Sequence, residues 1–210
     1  MVKQQRSIPV MTAVLDAVAE RLETSDEASI RIPEICESTG INYGSVYHHF
    51  GSRDGVIEAA YEMIFTRLAE QDLEMLHEAN IAVSTFEAYV GAMAPLVDIV
   101  SNGDARRARR ALRLRIVAAS QTRPPLRELI AQAQMRLTDE LTQIVRYGQD
   151  RGWLRNDLNA HLIAVLMQAL VFGRNLDDAS AKPVGDDQWG GAMAVVFSEV
   201  LHLSPGIGSA

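Results

Sequence analysis

The residues best suited to recognisable chemistry lie together between Arg31 and Asp54, in the run R-I-P-E-I-C-E-S-T-G-I-N-Y-G-S-V-Y-H-H-F-G-S-R-D. Asn42, Tyr43, Gly44 and Ser45 open what reads as a short helix, and they are small or polar enough to approach base edges. Tyr47 and His48 follow close behind. A phenol donates to a phosphate oxygen, and an imidazole can do so in either charge state. Arg53 adds a permanent cation. This is the chemistry of binding rather than of bond making. The histidines His48, His49, His77, His161 and His202 fall in no metal-ligand spacing such as H-E-x-x-H, and neither a nucleophile elbow nor a phosphate-cradling glycine loop occurs. No catalytic residue, metal or cofactor is expected, and the chain does not read as an enzyme.

Two short helices must position these groups. The first reads as Pro33 to Ser38, with proline tolerated in its first turn and Gly40 free to take the left-handed conformation that ends it. Asn42 can cap the second, Tyr43 to Phe50. Ile35, Ile41, Val46 and Phe50 can pin both against an earlier helix, Pro9 to Thr24, capped by Ser7 and burying Val14, Leu15, Val18 and Leu22. A glycine turn between two such helices makes a helix-turn-helix unit, whose second helix can enter the major groove.

The run I-N-Y-G-S-V-Y-H-H-F-G-S-R-D closely resembles the signature of the TetR (tetracycline repressor) family of bacterial transcriptional regulators. That signature is a small apolar residue, a cap, a recognition helix ending in Tyr-x-His-Phe, then Ser-Lys/Arg-Asp/Glu, and the match covers about residues 10–65. The resemblance implies that Tyr43, Gly44 and Ser45 approach bases, that Tyr47, His48 and Arg53 hold phosphates, and that His49 packs or makes an accessory contact. Arg31 departs from the pattern by standing where the family has a capping Thr or Ser, and Pro33 stands where relatives often carry a polar DNA-contacting residue. Base reading should therefore concentrate on one helix, with Arg31 a further candidate for phosphate. Cys36 takes a place usually filled by Ala and reads as a small buried apolar group.

Charge argues mildly the other way. The 210 residues carry a net charge of −7, and residues 1–55 hold five basic side chains (Lys3, Arg6, Arg21, Arg31, Arg53) against eight acidic ones. What counts for DNA is which charges face phosphate, so the total does not decide the matter. The single cysteine excludes an internal disulfide framework, and the absence of a secretory signal or a long apolar span points to the cytoplasm and away from the membrane.

Beyond Ser52, which can cap a long fourth helix, amphipathic segments recur at about 83–100, 104–119, 125–147, 158–177 and 187–203. The expected fold is all-α: a three-helix helix-turn-helix domain at 1–54, then a helical bundle at 55–210 for ligand sensing and dimerisation, about nine helices in total. The run Arg106 to Arg115 reads as a helix face whose guanidinium groups pair with acidic residues of neighbouring helices, with an anion-binding or second nucleic-acid surface as the alternative.

The last two helices carry small residues among large apolar ones. Leu162, Leu166, Ala169, Leu170, Gly173, Met193, Val196, Phe197 and Val200 are the expected homodimer contacts, in an intermolecular four-helix bundle. Phe65, Phe86, Tyr89, Met93, Ile116, Met135, Leu137, Met167 and Phe172 are candidate walls of an effector pocket. With no buried cationic anchor in view, a mostly apolar small molecule of unknown identity is expected. The functional expectation is a repressor that binds a near-palindromic DNA operator as a dimer and is released by ligand. A ligand-dependent activator and an all-helical interaction module without DNA binding are the alternatives.

Overall fold

Nine α-helices and two 3-10 turns make up the regular structure of residues 2–79, 83–98 and 103–201, the parts of the chain that the computed structural model describes; no strand occurs among them. The helices are α1 (Val2–Thr24), α2 (Ile32–Thr39), α3 (Tyr43–Phe50), α4 (Arg53–Ala79), α5 (Phe86–Asp98), α6 (Asp104–Ala119), α7 (Pro124–Asp150), α8 (Ala160–Asp178) and α9 (Asp186–Leu201). The 3-10 turns are Glu27–Ser29 and Ser120–Thr122. The all-α expectation is met, and α3 and α6 fall on the expected residues. Helix α1 starts at Val2, so Ser7 lies inside it rather than capping it. The cause is compositional: Lys3, Gln4, Gln5 and Arg6 are good helix formers and carry the helix back past the serine. Among the described residues no helix is long and apolar enough to cross a membrane.

The chain divides into two compact units, Met1–Leu68 with Arg115–Ile130, and Ala69–Leu114 with Ala131–Ala210. In the first, Val14, Val18 and Leu22 line one face of α1 at helical spacing and are wholly buried, while Leu15 at the edge of that face is half-buried. Helix α2 packs on α1 through Ile32 and Ile35, and on α3. Val56, Ile57, Ala60 and Tyr61 bring in α4, and Ile116 and Leu126 complete the core. Each fully buried valine, leucine or isoleucine contributes about 1.5–3 kcal/mol by leaving water.

The second unit has its own core, including Leu76, Tyr89, Met93, Leu137, Ile144, Trp153, Ile163, Met167, Met193 and Phe197, and α5 packs against α9. The Tyr89 hydroxyl donates to the Ile144 carbonyl at 3.1 Å, and burial pushes its phenol far above the usual value, which keeps it a neutral donor. Arg174 is the largest fully buried side chain. Its guanidinium meets Asp177, donates to Asp186 Oδ1 at 3.0 Å and to the Val184 carbonyl at 2.9 Å, and lies 4.7 Å from the centre of the Trp189 ring. Asp178 accepts from Arg107 and Arg110 as well, at 3.3 and 2.8 Å. The arginine-rich helix thus pairs with acidic neighbours, as expected, but on two sides. Arg109 and Arg113 meet Asp72 of α4, while Arg107 and Arg110 meet Asp178 of α8, with Arg110 buried rather than solvated.

Candidate nucleic-acid interface

Helix α3 has eight residues, of which Val46 alone is buried. A helix this short is not stable by its own hydrogen bonds and must be held by its neighbours and its ends. Both ends are built for it. Gly40 ends α2 with φ 69°, a left-handed conformation that a side chain would strain. Asn42 caps α3, its side-chain carbonyl accepting from the Gly44 N–H at 2.8 Å. At the far end, the Ser52 hydroxyl accepts from the Gly55 N–H at 3.0 Å and starts α4. Gly55 was not singled out from the sequence, although a glycine in the first turn of a helix is a signal of close approach. A Cβ there would come within 2.1 Å of the Phe50 carbonyl, so only glycine lets α4 start this close to the end of α3.

With its inner side fixed by Val46, Ile41 and Phe50, α3 turns Asn42, Tyr43, Gly44, Ser45, His48 and His49 to solvent. Tyr43 is 47% exposed, an unusual position for so large an apolar surface. Its ring lies 4.4 Å from that of half-buried Tyr47. The hydrogen bond between the two, and then burial, push the Tyr47 phenol above its ordinary value, so it stays a hydroxyl donor at neutral pH. Of the seven expected DNA-contacting residues, Asn42, Tyr43, Gly44, Ser45 and His48 are exposed and Tyr47 is half-buried. The seventh, Arg53, is half-buried and turned elsewhere: Nε donates to the Ile30 carbonyl at 3.1 Å and Nη2 to that of Glu27. Arg31 precedes α2 without capping it and donates to the Ala28 carbonyl at 2.6 Å. Pro33 is exposed, and Cys36 is buried, its thiol pushed up by that burial.

Residues 14–60 match the model of the tetR family of bacterial regulatory proteins, and residues 92–187 match that of the C-terminal domain of BetI-type transcriptional repressors. The chain belongs to the TetR family. It is a transcriptional regulator with a helix-turn-helix DNA-binding domain. The HTH-type transcriptional regulator UidR of Escherichia coli K12 is 26% identical over 174 residues, which cover 81% of this chain and 82% of that one. Among solved structures, Salmonella enterica GusR shares the fold with a TM-score of 0.64 at 19% identity, over 92% of this chain and 96% of that one. A regulator from Saccharomonospora viridis, solved in complex with choline, gives 0.71 at 18% identity, over 90% and 95%.

In this TetR-family regulator the other expected site residues do not form single clusters. Of the candidate effector walls, Phe65 and Ile116 belong to the core of the first unit. Phe86, Tyr89, Met93, Leu137 and Met167 belong to that of the second. Met135 and Phe172 are 59% and 49% exposed, so they wall no enclosed space within their unit. Their helices, α7 and α8, are apolar on more than one side, and periodicity does not say which side faces in. An open groove in the second unit, between Leu73, Glu74, His77 and Glu78 of α4 and Arg136, Asp139, Glu140 and Gln143 of α7, shares no residue with the expected walls. The expectation of no buried cation is corrected by Arg174 and Arg110. Both are paired with aspartates, and each keeps one buried nitrogen, Arg110 Nη1 and Arg174 Nε, without a hydrogen bond among the described residues.

The expected dimer contacts also separate. Leu162, Leu166 and Ala169 are exposed, and Leu170, Gly173 and Val196 are half-buried. Met193 and Phe197 instead fill the core of their own subunit, because α9 turns that side towards α5. The side chain of Val200 lies outside the described residues.

Proposed function

We propose that this regulator is a repressor that binds a near-palindromic operator as a homodimer in the cytoplasm and is released by a small-molecule effector. The observation that carries the reading is α3, held from one side by Val46 and exposing Asn42, Tyr43, Gly44 and Ser45 at its N-terminal end. In this proposal those residues meet base edges, where small side chains let the backbone come close. Tyr47 and His48 donate to phosphates and fix the register. Arg53 joins them through Nη1, which here meets the exposed Asp54 carboxylate at 3.4 Å and would exchange it for a phosphate.

The homodimer is supported by the outer side of α8. Leu162, Val165, Leu166, Phe172 and Leu176 recur there at helical spacing with exposures of 48, 43, 43, 49 and 81%. Val195 of α9 adds 61%. A monomer seldom leaves such a stripe to water, and a second copy would cover it around a twofold axis. Two recognition helices would then lie roughly 34–36 Å apart.

For the effector, the methionine- and aromatic-rich core of the second unit favours a mostly apolar molecule. One observation favours a cationic apolar ligand instead. The Arg151 guanidinium lies 3.6 Å from the centre of the Tyr147 ring and 5.5 Å from that of Trp153, so these aromatic faces already accept a cation, and the Saccharomonospora viridis relative was solved with choline.

The test is selection of duplexes from a random pool by the purified chain. Two half-sites related by a twofold axis, one helical turn apart, are the expected result, and loss of binding in a folded Tyr47→Ala variant accompanies it. A pool that gains no sequence preference would sink the reading.

A further inference from the structure

Arg53 follows the helix-turn-helix in sequence, yet its side chain returns to the start of that unit. Ile30 and Arg53 bracket α2 and α3, and the guanidinium joins them through the Nε bond to the Ile30 carbonyl at 3.1 Å. Its Nη2 donates to the Glu27 carbonyl. Glu27 is held from its other side as well: its carboxylate accepts from Arg123 Nη2 at 2.6 Å and lies 3.3 Å from the Tyr61 hydroxyl. Tyr61 is 1% exposed, and Arg123 also lies 5.7 Å from the centre of its ring. The local turn contributes as well, the Ile30 N–H donating to the Glu27 carbonyl at 3.1 Å and Arg31 to that of Ala28 at 2.6 Å, but these bonds do not reach α3, and α2 starts without a side-chain cap.

We infer that Arg53, backed by Glu27 and Arg123, is a positioning residue for DNA reading, which ties the entry of α2 to the exit of α3 and so sets how α3 presents Asn42 to Ser45. The inference rests on the proposed DNA reading. It separates from a plain phosphate contact by chemistry. A phosphate accepts a lysine ammonium about as readily as a guanidinium, whereas two backbone carbonyls spaced for a planar fork do not. Glu27 holds the same turn without lending α3 any charge.

The experiment measures affinity at several salt concentrations for full-length parent, Arg53→Lys, Glu27→Gln and the double variant. The probe is the duplex that the parent selects from a random pool, and melting is followed for each protein. Arg53→Lys is expected to bind about tenfold more weakly with an unchanged salt slope, since the charge is kept and the fork is lost. Glu27→Gln weakens binding in the same way, and the double variant loses no more than the worse single one, because both loosen one turn. Should Arg53→Lys melt early, Glu27→Gln carries the same test: its single amide oxygen replaces only one of the two carboxylate oxygens that meet Arg123 and Tyr61, so the turn loosens while the side chain keeps its size. Parent-like binding by both single variants overturns the inference and leaves Arg53 a phosphate ligand. Failure of the parent to bind any duplex overturns the DNA reading itself.

Discussion

In the first unit, Arg31 and Arg115 turn their guanidinium groups onto backbone carbonyls, Arg53 divides its own between two carbonyls and Asp54, and Arg21, Arg67 and Arg123 meet Glu34, Asp16 and Glu27; in the second, Arg107, Arg109, Arg110, Arg113 and Arg174 turn theirs onto Asp72, Asp177, Asp178 and Asp186. A carbonyl is a dipole, so an arginine bonded to it keeps its full charge towards the surroundings. A carboxylate cancels that charge. The first unit thus leaves part of its arginine charge uncancelled, at Arg31 and Arg115, whereas the second neutralises a buried junction.

The comparison breaks most readily at Arg174. Arg174→Ala takes the cation from Asp177 and Asp186, frees the Val184 carbonyl and empties the space of a fully buried side chain, while Asp178 keeps Arg107 and Arg110. A loss of about 3 kcal/mol is expected in urea unfolding, because truncating a large, fully buried and hydrogen-bonded side chain leaves both a cavity and unpaired polar groups. A loss under about 1 kcal/mol would mean that the network is no more than a surface ornament. Arg115→Gln should cost less, about 1 kcal/mol. The carbonyls of Leu22 and Ser25, at the C-terminal end of α1, can turn to water when the guanidinium leaves. Equal losses at the two arginines would erase the distinction between carbonyl and carboxylate partners.

Acid sharpens the contrast on a finer scale. The Asp186 carboxyl is held below its usual value, first by the Gly103 N–H and further by Arg174. A carboxyl whose pKa is lower folded than unfolded stabilises fully above about pH 4 and loses that contribution as pH falls through its lowered value. Amides of α8 and α9 should therefore lose hydrogen-exchange protection in acid before those of α1 and α2. Asp186→Asn should flatten that acid dependence; an unaltered profile would place it elsewhere.

Much of the recognition unit was legible because its determinants are local. Gly40 needs one dihedral, Asn42 caps a donor two residues away, and Val46 packs at helical spacing, so all three can be read from adjacent letters. Arg53 was not legible in this way, since its partners lie 23 and 26 residues earlier and are main-chain atoms that no letter records. Arg174 was half legible. Asp177 and Asp178 sit within one turn of it, but its burial also depends on Asp186 and Val184 across a loop. In α8 and α9 apolar residues lie on more than one side, and only the packing separates Met193 and Phe197, which fill the core, from Leu162 and Leu166, which do not.

Gly55 gives the recognition helix a genetic signature. Every base change in a glycine codon that alters the residue adds at least a Cβ, and here that atom would meet the Phe50 carbonyl at 2.1 Å. Codon 55 thus has no conservative missense allele. A replacement there would disturb the end of α3 while leaving Asn42 to Ser45 as they were, so a screen for regulatory mutants is expected to recover this position alongside the residues proposed to face bases.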